Sequence, residues 1–266
     1  MWGRVMLRVL RLGGVVVLVL VGLLILAGIF PWASRAARAA LTMRWSRILL
    51  ATLGIRLRVS GTAPEVADGG VMFAANHLSW LDPFLVLAHC PAHFVAKSEV
   101  RSWPVLGWLA AQSGTLFIER ERRQDVARIS TAFTRLLRAG ENVGLFPEST
   151  TGDGTALNPF KPALLQAACA AGARLCPVAI RYVDQAGRAH PAPIWVGEMS
   201  FADSILRIAA ARGIVAELTF CPCMAGAHQT RRALALQAET AIASVLSLSV
   251  PRIPPETPAD PPGAMQ

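Results

Sequence analysis

A chain of 266 residues and 28.4 kDa is long enough to bury a full core, with one domain and a smaller appendage as the expected organisation. Only 16% of its residues are charged, its mean hydropathy is +0.44, and Lys+Arg number 26 against 17 Asp+Glu. The basic residues stand singly among apolar ones, with no polybasic run, zinc-finger spacing or base-stacking aromatic array, which argues against nucleic acid and for anionic membrane lipids as the partner.

The first element is a run without charge from Leu12 to Phe30, close to the ~20 residues a helix needs to cross the hydrocarbon layer. Arg4, Arg8 and Arg11 precede it and Arg35, Arg38, Arg44 and Arg47 follow it, so flanking charge does not set its direction. An Arg-rich amphipathic stretch continues beyond it without a convincing small-residue cleavage site. The expectation is a retained anchor followed by an interfacial helix over about 33–53, arginines toward lipid phosphates, with Trp32 and Trp45 suited to the interface. A hydrophobic helix hairpin buried within the globular domain is the alternative.

Strand and helix signals then alternate. IRLRVSG (55–61) and Val71–Ala75 are expected strands, FLVLAHC a helix, HFVAK a short strand, PVLGWLAAQSG a helix closed by Gly114, and TLFIER a strand. Gln124–Ala139 has helical spacing in Val126, Ile129, Phe133, Leu136 and Leu137. NVGLFPE, ARLCPVAIRY, APIWVG and IVAELTF read as strands; PALLQAACAAG, the stretch around Ile205–Ala211 and a segment from about Thr230 read as helices. The fold class is therefore α/β, a mostly buried central sheet flanked by helices and preceded by an N-terminal membrane-anchoring helical segment. Residues 1–54 are assigned to transmembrane and interfacial helices, 55–248 to the α/β domain, and 249–266, rich in proline, to a disordered tail.

The five cysteines, Cys90, Cys169, Cys176, Cys221 and Cys223, show no disulfide framework. One residue between Cys221 and Cys223 is too short a spacing for paired metal ligands, and no histidine cluster accompanies them. They are read as structural thiols in a reducing compartment, with no metal site.

The stretch AANHLSWLDPF (74–84) carries the chemistry. His77 falls where a buried strand runs out, the end at which ligands gather in such sheets. Five residues at about 100° each would set Asp82 well away from His77 around a helix, so the chain must bend between them. Ser79 or Asp82 is available as an N-cap and Pro83 for the first helical turn. In such a bend Asp82 accepts from one ring nitrogen and leaves the other to take a proton from a hydroxyl. A satisfied buried polar network is the competing reading of the same pair.

NHLSWLD resembles the NHxxxxD signature of the glycerolipid acyltransferases of the 1-acylglycerol-3-phosphate acyltransferase type, and three more blocks follow in the family's order. GTLFIER (114–120) looks like the second block, FPESTTGDG (146–154) like the FPEGTRS-type third, and CPVAI (176–180) like the fourth, usually VPVAI. The blocks and their strands cover about residues 70–182. The resemblance implies an O-acyltransferase in which His77 is general base for an acceptor hydroxyl attacking an acyl thioester, and Asp82 orients it. The acyl group would move in one step, from acyl-CoA or acyl carrier protein to a lysolipid, with no metal or bound organic cofactor.

The same resemblance assigns Lys97 and Arg120 to a substrate phosphate, and Glu148 to the acceptor hydroxyl or to keeping the site ordered. Ser149, Thr150 and Thr151 beside it offer hydroxyls and backbone N–H groups for an anion-holding concavity. Ser149 and Thr151 stand where the family usually has Gly and Arg. Losing that arginine removes a contact of about 1.5 to 3 kcal/mol. The leading expectation is acylation of the sn-2 hydroxyl of 1-acylglycerol-3-phosphate to phosphatidic acid, at a bacterial inner membrane, with the catalytic domain facing the cytoplasm. The TTGDG extension and LNPFKPALLQAA resemble a bacterial branch that includes lyso-ornithine lipid acyltransferases, so lyso-ornithine lipid or another lysophospholipid is the alternative acceptor. Asp153 would then face a headgroup amine, or cap its own loop. A non-catalytic lipid-binding membrane protein is the remote alternative.

Overall fold

A computed structural model describes residues 2–64 and 70–248; the proline-rich segment 249–266 lies outside the described residues. The strand β2 (Val71–Ala75) is buried at every position, as a run of apolar residues covered on both faces of a sheet must be. Around it the sheet runs in the order β1 (Arg56–Gly61), β7 (Val215–Phe220), β6 (Arg174–Val183), β2, β5 (Val143–Leu145), β3 (His93–Lys97) and β4 (Leu116–Ile118). A short β8 (Met224–Ala225) also pairs with β6. β6 is parallel to β2 and antiparallel to β7 and β8, so the sheet is mixed.

Alternation along the strands divides the core. Phe73, Ala75, Val178, Ile180, Tyr182, Leu218 and Phe220 face the helices α1 (Trp2–Leu24), α2 (Arg35–Thr52), α3 (Asp82–Leu87) and α7 (Phe201–Ala210). Met72, Ala74, Leu145, Leu175 and Ala179 face α5 (Arg123–Arg138), α6 (Gln166–Ala171) and α8 (Arg231–Leu246). The α5 spacing read from the sequence is realised, with Ile129, Phe133 and Leu137 buried four residues apart. A further helix, α4 (Leu106–Gln112), ends just before Gly114, whose φ of +87° suits only glycine.

Three expectations are corrected. APIWVG forms no strand; there the Trp195 backbone N–H donates to the Leu78 carbonyl at 2.8 Å and the Trp195 indole to the Met199 carbonyl at 2.7 Å. The apolar run serves to close over the end of the sheet and not to extend it. NVGLFPE is a strand only over Val143–Leu145, since Phe146–Glu148 turn toward the site described below. Cys176 and Cys223 are joined in a disulfide, Cα atoms 4.2 Å apart, while Cys90, Cys169 and Cys221 are free. The β6–β8 ladder brings the chain after β7 back along β6, a proximity that 47 residues of separation conceal.

At the N-terminus, α1 continues through a π turn (Ile25–Ile29) and a 3-10 turn (Phe30–Trp32), and Val5–Trp32 is long and apolar enough to cross a membrane. Val9, Val16, Val17, Leu20 and Leu24 lie exposed along one side. The other side is packed on protein: Val15 and Leu18 are buried, Arg11 donates to the Ala209 carbonyl at 3.2 Å, and the Trp45 indole donates to the Leu18 carbonyl at 3.1 Å. α2 is docked rather than free, because Ser46, Leu49 and Leu50 are buried. Two of its arginines are engaged with the protein itself: Arg47 donates to the Ala88 carbonyl at 2.6 Å and Arg35 pairs with Glu141 at 2.7 Å.

Asn76 joins β2 to β6 with its side chain. Its Nδ2 donates to the Ile180 carbonyl at 2.9 Å and its Oδ1 accepts from the Ile180 N–H at 2.7 Å. Truncation in Asn76→Ala leaves two buried backbone groups unpaired, an expected loss of about 3 kcal/mol. Thermal unfolding of the detergent-solubilised protein measures it, and an unchanged midpoint would mean that the amide carries no such load.

Candidate active site

The sheet delivers the chain to the site at the end of β2. Asn76 pins the last buried position, and the backbone then bends through Leu78–Leu81 into α3. Asp82 is the first residue of α3, followed by Pro83, but neither it nor Ser79 caps the helix; the N-cap position is Leu81, without a side-chain cap. Asp82 folds back over the bend instead. Its Oδ2 accepts from the His77 Nδ1 at 2.8 Å, the Leu78 N–H at 2.7 Å and the Ser79 N–H at 2.8 Å. Its Oδ1 accepts from the Tyr182 hydroxyl at 2.7 Å.

Asp82 is fully buried, and a carboxylate taken out of water stands only if its lone pairs are met, as these are. An ionised carboxylate cannot donate, so the proton of the neutral imidazole sits on Nδ1 and the lone pair on Nε2. The imidazole is 17% exposed, open enough for a substrate atom to reach it. It stacks on Phe146, ring centroids 4.1 Å apart and planes 12° apart, and Phe146 stacks in turn on Phe94 at 5.5 Å. Nδ1 is tied and the ring face is covered, which leaves the Nε2 edge for chemistry.

Glu148 braces the same residue from the backbone. Its Oε1 accepts from the His77 N–H at 2.7 Å, while Oε2 accepts from the N–H and Nδ2 of Asn158 at 2.8 and 3.1 Å. The Gly152 N–H donates to the His77 carbonyl at 2.8 Å, so the 148–158 loop is stitched to both sides of the histidine peptide. Burial raises the Glu148 carboxyl above its ordinary value of 4.5, opposed by the hydrogen bonds from Asn158 and His77. Both Glu148 oxygens are thus engaged, one with the His77 peptide and one with Asn158.

The basic pair comes from the neighbouring strands. Lys97 ends β3 and pairs in register with Ile118 of β4, so Lys97 and Arg120 line one depression with Ser98. Glu99, Glu119 and Glu121 also line it, and Glu119 is paired with Arg122 at 2.6 Å. Arg120 is half-buried and donates through Nη1 to the Ser149 carbonyl, while Lys97 is exposed. Ser149 has a φ of +63°, in the left-handed region where the family's glycine is unstrained. Thr150 is exposed and Thr151 half-buried on the same loop. Asp153 accepts from the N–H and hydroxyl of Thr155 at 2.9 and 2.7 Å, the loop-capping reading. Lys161 is exposed, and Phe160 is buried with its N–H on Glu239 at 2.7 Å, so this segment docks the loop onto α8.

Two participants went unread in the sequence. Asn158 carries no local signal. Tyr182 carries one: alternation along β6 puts it on the face of Val178 and Ile180, and a buried phenol requires a partner. Aromatic side chains pack mutually in the seam of α2, α3 and α7, with Trp80 4.9 Å from Phe201 and Trp45 5.7 Å from Phe84.

Two measurements follow from this geometry. A carboxyl whose folded pKa is raised contributes stability that is complete below its unfolded pKa and is lost as pH rises through the folded one. The stability of the native protein relative to Glu148→Gln is therefore expected to be greatest below about pH 4.5 and to fall as pH rises past it. Denaturant unfolding across pH reads this, and a difference constant with pH would place the titration elsewhere. Ser149→Gly removes the left-handed strain and is expected to raise stability by about 0.5–1 kcal/mol, read as a higher unfolding midpoint.

The family model described as Acyltransferase matches residues 56–181, a span that holds His77, Asp82, Lys97, Arg120 and the loop from Glu148 to Asn158 and stops one residue short of Tyr182. A 1-acyl-sn-glycerol-3-phosphate acyltransferase of Neisseria meningitidis is 40% identical over 202 residues, 76% of this chain and 78% of that one. A lyso-ornithine lipid O-acyltransferase of Pseudomonas aeruginosa is 39% identical over 189 residues, 67% of this chain and 69% of that one. The crystal structure of the 1-acyl-sn-glycerophosphate acyltransferase PlsC from Thermotoga maritima superposes with a TM-score of 0.69 at 19% identity, covering 92% of this chain and 95% of that one, and so shares the fold. With these likenesses on a fold that sets histidine and aspartate in hydrogen-bond contact, the chain belongs to the O-acyltransferase family of the 1-acyl-sn-glycerol-3-phosphate acyltransferases.

Proposed function

We propose that this acyltransferase moves a fatty acyl group from acyl-CoA or acyl carrier protein to the sn-2 hydroxyl of 1-acylglycerol-3-phosphate, giving phosphatidic acid. His77 Nε2 takes the hydroxyl proton as the oxygen attacks the thioester carbonyl. The carbon–sulfur bond then breaks, and the proton passes from His77 to the departing thiolate. Asp82 supports the imidazolium formed between those two steps. The observation that carries this reading is the His77 ring held at Nδ1 by a fully buried carboxylate, its other edge left available.

Relatives that act on two different acceptors are almost equally similar, so identity does not choose between them. Lys97 and Arg120 offer an anionic headgroup two cations, beside Glu99, Glu119 and Glu121 in the same depression. Asp153, the residue that the lyso-ornithine reading sets against a headgroup amine, is bound to Thr155. Ser149, Thr150 and Thr151 supply loop donors in place of the family's arginine. Lyso-ornithine lipid is the second reading, supported by the 39% identity to the Pseudomonas aeruginosa enzyme.

The exposed apolar side of α1 belongs in the acyl layer. Because the opposite side carries Val15, Leu18 and Arg11 against the domain, the reading is a helix seated along the protein in the membrane, rather than one crossing upright. Exposed basic residues meet anionic lipid at that surface. Thioester donors of this class favour the cytoplasmic face; the Cys176–Cys223 disulfide is the one feature that points the other way, since cytosolic thiols are kept reduced.

One labelled acyl donor offered to competing lysophosphatidate and lyso-ornithine lipid is expected to label phosphatidic acid in preference; the reverse would overturn the acceptor. His77→Ala is expected to lower acceptor-dependent thiol release by about 10²–10⁴-fold. Undiminished transfer by that variant would remove the general base from the mechanism.

A further inference from the structure

Tyr182 is the chain's single tyrosine, buried on β6, and its hydroxyl donates to the one Asp82 oxygen that His77 does not use. Oδ2 has three donors, all from the bend 77–79, whereas Oδ1 has this phenol, reaching across from a different element 100 residues away. A phenylalanine would fill the same apolar space, so packing alone does not ask for a hydroxyl here. We propose that Tyr182 is a positioning residue for acyl transfer: its donation to Oδ1 fixes the plane of the Asp82 carboxylate toward His77. It also draws charge off that carboxylate, and so sets how strongly Asp82 holds the His77 imidazolium. The inference rests on the reading of His77 as general base.

Beside this line the Ser79 side chain also hydrogen-bonds the Tyr182 hydroxyl, and the surrounding charges are engaged elsewhere. Glu148 meets His77 at its backbone N–H. His190 meets the Tyr182 carbonyl by its own backbone, with its ring nitrogen Nε2 against the Arg212 carbonyl at 3.2 Å. Glu217 on β7 is paired with Arg181 and Arg58 on the other face of the sheet, Asp203 of α7 is hydrogen-bonded to Ser200, and Arg207 donates to the Pro191 carbonyl. Burial and the Asp82 carboxylate hold the phenol well above its ordinary 10.0, so it is a proton donor at every working pH.

Removing the donor leaves Asp82 more negative toward His77, which stabilises the imidazolium. In Tyr182→Phe the acid limb of the kcat/KM profile is therefore expected to move to higher pH, with kcat reduced about tenfold and KM little changed. Because the chain has one tyrosine, biosynthetic replacement by a ring-fluorinated tyrosine alters this site alone, and its more acidic hydroxyl should move the same limb to lower pH. The fluorinated protein is nearly isosteric and decides the matter even if the phenylalanine variant folds poorly. Profiles that stay superimposed on the native one, whatever happens to the thermal midpoint, overturn the proposal and leave Tyr182 a structural residue. Persistent transfer by His77→Ala would instead defeat the general-base reading, a result separable from the first.

Discussion

A carboxylate buried without any exposure, Asp82, is the constraint around which the rest of the site is built. In a low-dielectric interior such a group is tolerated only with its lone pairs filled by donors at close range. Supplying them requires the bend after β2 to present two backbone N–H groups inward, α3 to begin at Asp82, and β6 to bring Tyr182 across from the neighbouring strand. The imidazole is the fourth donor. The orientation of His77 is thus a by-product of satisfying a buried charge, and the same bonds that hold the fold hold the tautomer.

The opposite side of the imidazole depends on a contact with no charge in it. Phe146 lies flat on His77 and Phe94 on Phe146, a stack that reaches back to Gly144. A Cβ at Gly144 would stand 2.5 Å from the Phe94 ring, so the central strand β5 must carry glycine for the stack to form. Asp82 on one edge and Phe146 on one face leave the ring little freedom. Glu148 then fixes the peptide from which the ring projects. Electrostatics and packing divide the work: one sets the proton, the other sets the plane.

The N-terminal helices extend the logic to the membrane. α1 and α2 contribute Val15, Leu18, Leu49 and Leu50 to the core that also contains Leu81 and Leu85, beside the catalytic bend. The exposed apolar side of α1 and the bend that carries His77 are therefore joined through one packed layer.

The α/β alternation, most of the helix and strand limits, the apolar N-terminal run and the motif blocks are legible in the residues alone. Each of these is written in local periodicity or in a short spacing, as in Ile129, Phe133 and Leu137 or NHLSWLD. The sequence also required a bend between His77 and Asp82, because no helix brings residues five apart together. What it could not express was long-range partnership. Tyr182 on Asp82, Asn158 on Glu148 and Cys223 on Cys176 join positions whose distance along the chain says nothing of their distance in space. APIWVG shows the converse: its composition suits a strand, but its Trp195 N–H goes to the Leu78 carbonyl beyond the end of β2 and it joins no ladder. Folding in three dimensions settles those partnerships, since buried polar groups are satisfied by whatever the fold brings near and not by what lies next in sequence.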